Sequence, residues 1–273
     1  MEVVSPGPAQ PLWRRIIRSP IFDIVQFSIL VLAVFWFFAN STERMGYNWQ
    51  WYQIPKYLYT SDESGLNPGP LWDGLMVTFR ISGISLVLAF VIGLATALFR
   101  LSQSFVAQTL ARVYLETIRN TPLLIQLFFI YFVLGPVLGI SRMASAILAL
   151  SLFEGAYASE IFRAGIVSIR RGQWEAAYSL GLSTFDSYVY IILPQAIRRI
   201  LPPLTSQAIS LIKDSALVST IAVYDLTMQA QAVIAETYLV FELWFTVAGM
   251  YLLVTITLSI IVNYMEHRFK VVT

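Results

Sequence analysis

Long apolar runs with few charges constrain this chain more than any other feature of its sequence. A helix needs about 20 apolar residues to cross a hydrocarbon core of about 30 Å. Hydrophobic residues make up 57% of the 273 residues and charged residues only 12%, whereas soluble domains average about 25% charged residues. We therefore predict an all-α integral membrane protein with six transmembrane helices, at residues 21–39, 75–99, 123–138, 144–166, 204–223 and 243–264.

The positions of the basic residues predict the orientation of these spans. Cytoplasmic segments of membrane proteins carry an excess of Lys and Arg. Of the 18 Lys and Arg residues, only Arg44, Lys56 and Arg142 would lie outside, and only Arg80 and Lys213 within spans. All the others fall in segments that would be cytoplasmic. Both termini are therefore predicted to face the cytoplasm.

Composition also excludes several kinds of chemistry. The chain has no Cys and a single His, His267, which excludes disulfides, Cys-ligated metals and His-rich metal sites. It contains no G-x-x-x-x-G-K-[ST] phosphate loop, so an ATPase of that type would be another polypeptide. No nucleophile–base set is present either. We therefore predict a non-catalytic chain with no metal and no cofactor of its own.

One polar stretch, residues 170–203, interrupts the apolar pattern between the fourth and fifth spans. It is typical of two short helices joined by a turn. Glu175 can open the first helix, and Gly181 would end it, because only Gly enters the left-handed conformation without a Cβ penalty. Ser183 or Thr184 can cap the second helix. Three prolines are predicted to break the helical structure where the chain returns into the membrane: Pro194, Pro202 and Pro203.

The same stretch resembles a known family. Its string "EAAYSLGLSTFDSYVYIILP" is similar to the EAA loop of ABC-importer permeases, in which Glu-Ala-Ala, a later Gly and Ile-x-Leu-Pro recur at fixed spacing. The resemblance implies a cytoplasmic coupling helix, within a loop at 170–200, that docks into a groove of the ATPase subunit. The residues that would couple are Glu175, Ala176, Ala177, Gly181 and Leu182. The alternative is a surface helical hairpin with no partner.

The resemblance extends from about Trp72 to the C-terminus. The strings "LWDGLMVTFRIS", "YLETIRNTPLLIQLFFIYF", "GAYASEIFRAGI" and "SLIKDSALVS" match the polar amino-acid subfamily of these permeases, the histidine, glutamine and glutamate type with a MetI-like transmembrane domain. The chain would then have a five-helix permease core at 74–267. Before it would come a cytoplasmic tail at 1–20, and an extra span with an external interfacial segment at 21–73.

Membership in this subfamily implies a half-transporter of the bacterial cytoplasmic membrane. The implied partners are two ATP-binding subunits, which would hold ATP and Mg, and an external amino-acid-binding protein. A second permease subunit, a paralogue rather than an identical copy, would complete the path through the lipid. No nucleic acid is expected.

Charged residues inside the spans are candidates for the substrate site. An ion at the bilayer centre costs about 2.5–3.5 kcal/mol, yet Lys213 and Asp214 lie midway along the fifth span. An ammonium and a carboxylate suit the two charged ends of an amino-acid zwitterion. The alternative is structural pairing, for instance of Lys213 with Glu154 or Glu160. The resemblance favours substrate contact and includes Ser215, which could also relieve a local break in the helix.

Three further polar residues in the spans remain open between cavity and packing. Glu154, near Tyr157 in the fourth span, either lines the cavity or pairs structurally. Gln126 in the third span is another cavity candidate. Glu160 is three residues from Arg163, so the two are expected to pair along the helix.

Two rival functions are an ion-driven secondary transporter and a membrane enzyme. The first would also place ionisable residues at the midplane, but it would not need the EAA pattern. The second lacks any catalytic set in this sequence. Uptake driven by an ion gradient without partner subunits would favour the first rival.

Small residues in the spans predict close helix approach. Gly83, Gly93 and Gly249 have Ala and Ser neighbours, a combination that lets helix backbones pack closely in membranes.

Overall fold

The computed structural model describes residues 20–44, 46–62 and 65–269, which form two compact units that divide between Gln50 and Trp51. The first unit contains one long helix, α1 (Pro20–Arg44), which covers the predicted first span. Its segment Pro20–Phe37 is long and apolar enough to cross a membrane. The predicted cytoplasmic tail lies outside the described residues, apart from its last position.

The second unit opens with a short segment that is not purely helical, so the expectation of an all-α chain is wrong at this place. A 3-10 turn (Trp51–Gln53) and helix α2 (Pro55–Leu58) lead into an antiparallel hairpin of β1 (Tyr59–Asp62) and β2 (Gly65–Pro68). Gly65 enters the second strand with φ = +116°, a conformation open to Gly. Strands of four residues are too short for hydrophobic periodicity to reveal.

The rest of the second unit is helical. In chain order its α-helices are α3 (Pro70–Leu101), α4 (Phe105–Arg119), α5 (Leu123–Phe128), α6 (Gly135–Leu138), α7 (Arg142–Val167), α8 (Arg171–Ser179), α9 (Thr184–Asp186), α10 (Leu193–Asp214), α11 (Leu226–Thr237) and α12 (Val240–Phe269). Wider or tighter helical turns join some of them: π-helices at Phe129–Leu134 and Ser187–Ile192, and a 3-10 helix at Ser215–Ile221.

Within the described residues, four helices are each long and apolar enough to span a membrane: α1, α3, α7 and α12. Two further candidates are bent pairs. Helix α4 and the segment Leu123–Leu138 meet at 106°, and the segment Thr184–Ile221 and α11 meet at 46°. The number of spans is therefore four to six, depending on whether each bent pair crosses as one.

The helix that carries the predicted fifth span begins earlier than expected. Helix α10 starts at Leu193 and contains Pro202 and Pro203, so the interpretation of these two prolines as breaks is wrong. A proline inside a helix removes the backbone bond to the carbonyl four residues earlier, which here concerns the carbonyls of Arg198 and Arg199. Membrane helices tolerate proline because neighbouring groups and water can satisfy such carbonyls. The Thr205 hydroxyl donates to two later carbonyls, those of Leu201 and Pro202, at 3.0 and 2.7 Å.

Helices α3 and α7 pack more extensively than any other pair, and a glycine sits at their closest approach. A Cβ at Gly93 would lie 2.8 Å from the Cβ of Ala158 and 2.9 Å from the carbonyl oxygen of Gly155. A Cβ added at Gly83 or at Gly249 would lie more than 4 Å from any heavy atom outside its own stretch of helix backbone. Of the three glycines expected to allow close packing, only Gly93 does so within the described part of the chain.

Candidate functional site

The fourth span contains a carboxyl group that is almost completely buried. Glu154 on α7 is 2% exposed, and its Oε2 accepts a hydrogen bond of 2.5 Å from the Gln207 amide on α10. Asp214 is seven residues after Gln207, hence on the same side of that helix. Asp214 is half-buried and lies near enough to Glu154 for the two carboxyl charges to influence each other. The structure thus brings together two of the predicted site residues, from helices far apart in sequence.

One oxygen of this cluster is without a partner. Glu154 Oε1 is buried and accepts no hydrogen bond from any described residue. Buried polar atoms in native proteins are nearly always bonded to protein or water, and an unmet one costs about 1–3 kcal/mol. An acceptor oxygen beside a second carboxyl group suits a cationic or N–H donor from a bound solute.

A cavity of about 150 Å³ adjoins this carboxyl group, between α3, α7 and α10. Its polar members are Glu154, Gln207 and Thr205, and the rest of its wall is apolar: Leu86, Ala89, Phe90, Ala158, Leu204 and Ala208. The surface of this cavity is almost wholly apolar, so it suits the apolar part of a small molecule. Gln207 was missed by the sequence reasoning, although its spacing of seven from Asp214 was a usable signal.

The residues that follow Asp214 mark a change in the helix. The α-helix ends at Asp214 and continues as a 3-10 helix. Ser215 is buried, and its hydroxyl donates to the Ile212 carbonyl at 2.7 Å, as expected for a residue that relieves a helix break. Lys213, in the last turn of α10, is exposed.

The proposed structural pairing of Lys213 with Glu154 or Glu160 is wrong for the described residues. Glu154 takes its bond from Gln207, and Glu160 takes its bonds from arginines. The Lys213 ammonium is therefore not neutralised by either glutamate.

Tyr157 and Gln126, which were also predicted to contact substrate, lie away from the cavity beside Glu154. Tyr157 packs its ring against Phe153, with centroids 5.0 Å apart, and lies 5.9 Å from the Arg119 guanidinium carbon. The Gln126 amide donates to the Ile118 carbonyl at 2.7 Å and to both Thr121 oxygens, which ties it to the turn after α4. Neither residue is among those that line the cavity beside Glu154.

An ion cluster closes the end of α7 that is predicted to be cytoplasmic. Glu160 pairs with Arg163 at 3.1 Å, which confirms the expected pair along the helix. Its carboxylate also bonds Arg100 of α3 at 2.6 Å and Arg119 of α4 at 2.9 Å. One carboxylate thus links three helices.

The EAA stretch forms the helix–turn–helix that its sequence predicts. Helix α8 ends in a Schellman motif, in which Leu182 N–H donates to the Ala177 carbonyl and Gly181 N–H to the Tyr178 carbonyl. Gly181 has φ = +76°, the left-handed conformation expected of it. The Ser183 hydroxyl caps the next turn by accepting from Asp186 N–H at 3.1 Å.

This helix–turn–helix leaves apolar side chains exposed around its turn. Leu180 is 79% and Phe185 75% exposed, and neither was among the residues predicted to couple. Among the residues expected to couple, Glu175, Ala176 and Gly181 are exposed, Leu182 is half-buried and Ala177 is buried. Large apolar residues exposed at a turn that is predicted to face the cytoplasm are typical of an interaction surface.

No candidate metal site is found in the part of the chain that the structure describes. Among the described residues, no group of three or more Asp, Glu, His or Cys side chains could hold a metal ion.

Comparison with known proteins adds a family and several relatives. Residues 89–271 match the family described as "Binding-protein-dependent transport system inner membrane component". The glutamine transport system permease protein of Escherichia coli (strain K12) is 40% identical over 204 residues, which is 74% of this chain and 93% of that protein. The L-cystine transport system permease protein of Bacillus subtilis (strain 168) is 38% identical over 198 residues, 71% of this chain and 84% of that protein.

Solved structures agree with this result. A crystal structure of an amino acid ABC transporter with histidines superposes with a TM-score of 0.69 at 37% identity, over 73% of this chain and 94% of that one. The MetNI methionine ABC transporter, in an inward-facing conformation, has a TM-score of 0.61 at 19% identity, over 74% of this chain and 96% of that one. The second likeness concerns the fold alone.

Proposed function

Because the chain belongs to the family of binding-protein-dependent transport system inner membrane components, we propose that it is the permease subunit of an ATP-driven importer of polar or charged amino acids. It is a multi-pass protein of the bacterial cytoplasmic membrane. Its curated relatives include permease proteins for glutamine and for L-cystine, which supports an amino acid as the substrate.

The buried Glu154 carboxyl group supports this proposal more than any other observation. One of its oxygens has no hydrogen-bond partner among the described residues, and the half-buried Asp214 lies on the neighbouring helix. The substrate ammonium group would bind there, next to the Gln207 amide. The exposed ammonium of Lys213 would attract the substrate carboxylate, and the cavity of about 150 Å³ would take part of the side chain.

The motor of this transporter would be two ATP-binding subunits that hold ATP and Mg. They would dock on the surface formed by α8, α9 and the Gly181 turn, where exposed Leu180 and Phe185 supply apolar contact area. ATP binding would close the two ATPase subunits and move this surface, and the attached helices would open the cavity outward. Hydrolysis would reset the assembly, so that coupling depends on two alternative rigid packings.

Substrate would reach the cavity from an external amino-acid-binding protein, and a second permease subunit, a paralogue, would complete the path. This chain would itself hold neither nucleotide nor metal. The chain alone would then be inactive in transport, which separates this proposal from an ion-driven secondary transporter.

The decisive experiment is uptake by proteoliposomes that contain the complete complex. Glu154→Gln keeps the shape of the side chain and removes its charge. A hydrogen bond to a charged group contributes about 1.5–3 kcal/mol, so uptake of radiolabelled glutamine, histidine or glutamate at low concentration should fall roughly tenfold or more. Lys213→Ala should also lower uptake without dissociating the complex.

Glu236→Gln is the matched control, because Glu236 is an exposed carboxylate on α11, away from the cavity. Uptake by this variant should match the wild type. Wild-type uptake by Glu154→Gln would remove Glu154 from the substrate site. Uptake driven by an ion gradient, without ATP or the ATPase, would contradict the proposed class of transporter.

A further inference from the structure

A second cavity, of about 300 Å³, lies where α3 and α7 meet α4, at the end predicted to face the cytoplasm, and shares no lining residue with the cavity beside Glu154. Arginine dominates its charged lining. Four arginines and two glutamates face it: Arg100, Arg112, Arg119, Arg163, Glu116 and Glu160. The lining therefore carries an excess of two positive charges.

The two carboxylates of this cavity already have partners. Glu160 accepts bonds from Arg100, Arg119 and Arg163, and Glu116 accepts a bond of 2.9 Å from the Asn120 amide. Each guanidinium group has five N–H donors, so the three arginines on Glu160 retain donors for another acceptor. Arg112 takes part in none of the Glu160 bonds and is exposed. The cavity is thus rich in donors and can accept an anion without breaking the Glu160 cluster.

The outer side of α4 differs sharply from the side that lines the cavity. Val106, Leu110 and Val113 are spaced to lie along one stripe of the helix, and all three are exposed. Phe105, at the start of α4, is 81% exposed. Phe105 lies seven residues before Arg112, hence on the same side of α4 as this cavity-lining residue, and Leu101 of the lining is exposed as well. Exposed apolar side chains beside a positively charged cavity match a molecule with an anionic head and apolar tails.

We propose that this cavity binds the headgroup of an anionic phospholipid of the inner leaflet. The phosphate oxygens accept hydrogen bonds from Arg112 and its neighbouring guanidinium groups, whose planar fork matches phosphate geometry. The acyl chains contact the exposed apolar side chains on the cavity side, Leu101 and Phe105. Basic pockets between transmembrane helices on the cytoplasmic side bind anionic headgroups in this manner.

Binding can be measured on the full-length chain in a neutral detergent. The probes are dioctanoyl phosphatidylglycerol, dioctanoyl phosphatidylcholine and inorganic phosphate, and the readout is the shift of Tm with probe concentration. Phosphatidylglycerol should raise Tm to a plateau, and the other two probes should not at equal concentration. Arg112→Gln should weaken phosphatidylglycerol binding about fivefold, since one basic residue near such a headgroup contributes about 1 kcal/mol.

Two further variants make the test specific to this cavity. Arg198→Gln removes an exposed arginine on α10 that does not line it, and phosphatidylglycerol binding should be unchanged. Glu116→Gln keeps the acceptor for Asn120 but increases the positive excess, so binding should tighten.

Three results would overturn the proposal. An equal shift with phosphatidylcholine would mean that the apolar tails alone bind. An equal shift with inorganic phosphate would make this a site for free anions. Equal weakening by Arg112→Gln and Arg198→Gln would mean that the effect is one of net charge and not of this cavity.

Discussion

Replacing Gly93 by Ala should loosen the packing of α3 on α7. The new Cβ would lie 2.8 Å from the Ala158 Cβ and 2.9 Å from the Gly155 carbonyl oxygen, whereas carbon contacts are optimal at about 3.5–4.0 Å. The helices would have to separate by roughly 0.6 Å or more, because neither obstructing atom belongs to a flexible side chain. Overpacking costs about 1–3 kcal/mol and Ala regains up to about 1 kcal/mol in helix propensity. With the full propensity gain, the net loss in unfolding free energy should be up to about 2 kcal/mol.

The same helix supplies the control for this prediction. A Cβ added at Gly83 would meet no other atom within 4 Å, so Gly83→Ala should stabilise the isolated chain by up to about 1 kcal/mol. Both variants gain the same helix propensity, so they should differ by the overpacking cost of about 1–3 kcal/mol. At about 2–4 °C per kcal/mol, their Tm values in detergent should differ by roughly 2–12 °C, with Gly93→Ala the lower. Equal Tm values would refute the claim that the crossing is tight at Gly93. Since Gly155 and Ala158 flank Glu154 on α7, uptake by Gly93→Ala should fall as well.

Two other perturbations test the coupling turn and the ion cluster. Gly181→Ala places a Cβ at φ = +76° and should cost about 1 kcal/mol locally, lowering both ATPase co-purification and uptake. Gly172→Ala, on the same loop but without positive φ, should change neither, and similar loss in both variants would contradict the role of the turn. Glu160→Gln removes the negative charge that Arg100, Arg119 and Arg163 share. Because the Glu160 side chain is 27% exposed, the unfolding free energy should fall by only about 1–2 kcal/mol. This loss should shrink in high salt, and an unchanged Tm at low salt would count against the cluster as a stabilising element.

Local chemistry was readable from the sequence around the EAA stretch. Gly181 and Ser183 are used as expected, because a left-handed helix end and a hydroxyl cap depend on residues only a few positions away. The pairing of Glu160 with Arg163 was predictable for the same reason.

Contacts between distant parts of the chain were not readable in this way. Arg100 and Arg119 are 60 and 41 residues from Glu160, and no local pattern indicates that their helices converge on it. Gln207 meets Glu154 only because α7 and α10 pack together. Pro202 was wrongly interpreted as a helix break. The free-energy cost of a proline inside a helix depends on whether neighbouring groups bond the backbone carbonyl that it leaves without a donor, and the sequence does not show this.

The length of α10 has a mechanical consequence. Its 22 residues run without interruption from Leu193, near the end of the EAA stretch, to Asp214, a distance of about 33 Å. A tilt of about 5° at Leu193 would carry the far end through about 3 Å over that length, roughly one hydrogen-bond distance. Such a lever arm needs no relay of side chains to bring the Asp214 carboxyl group into or out of reach of Glu154.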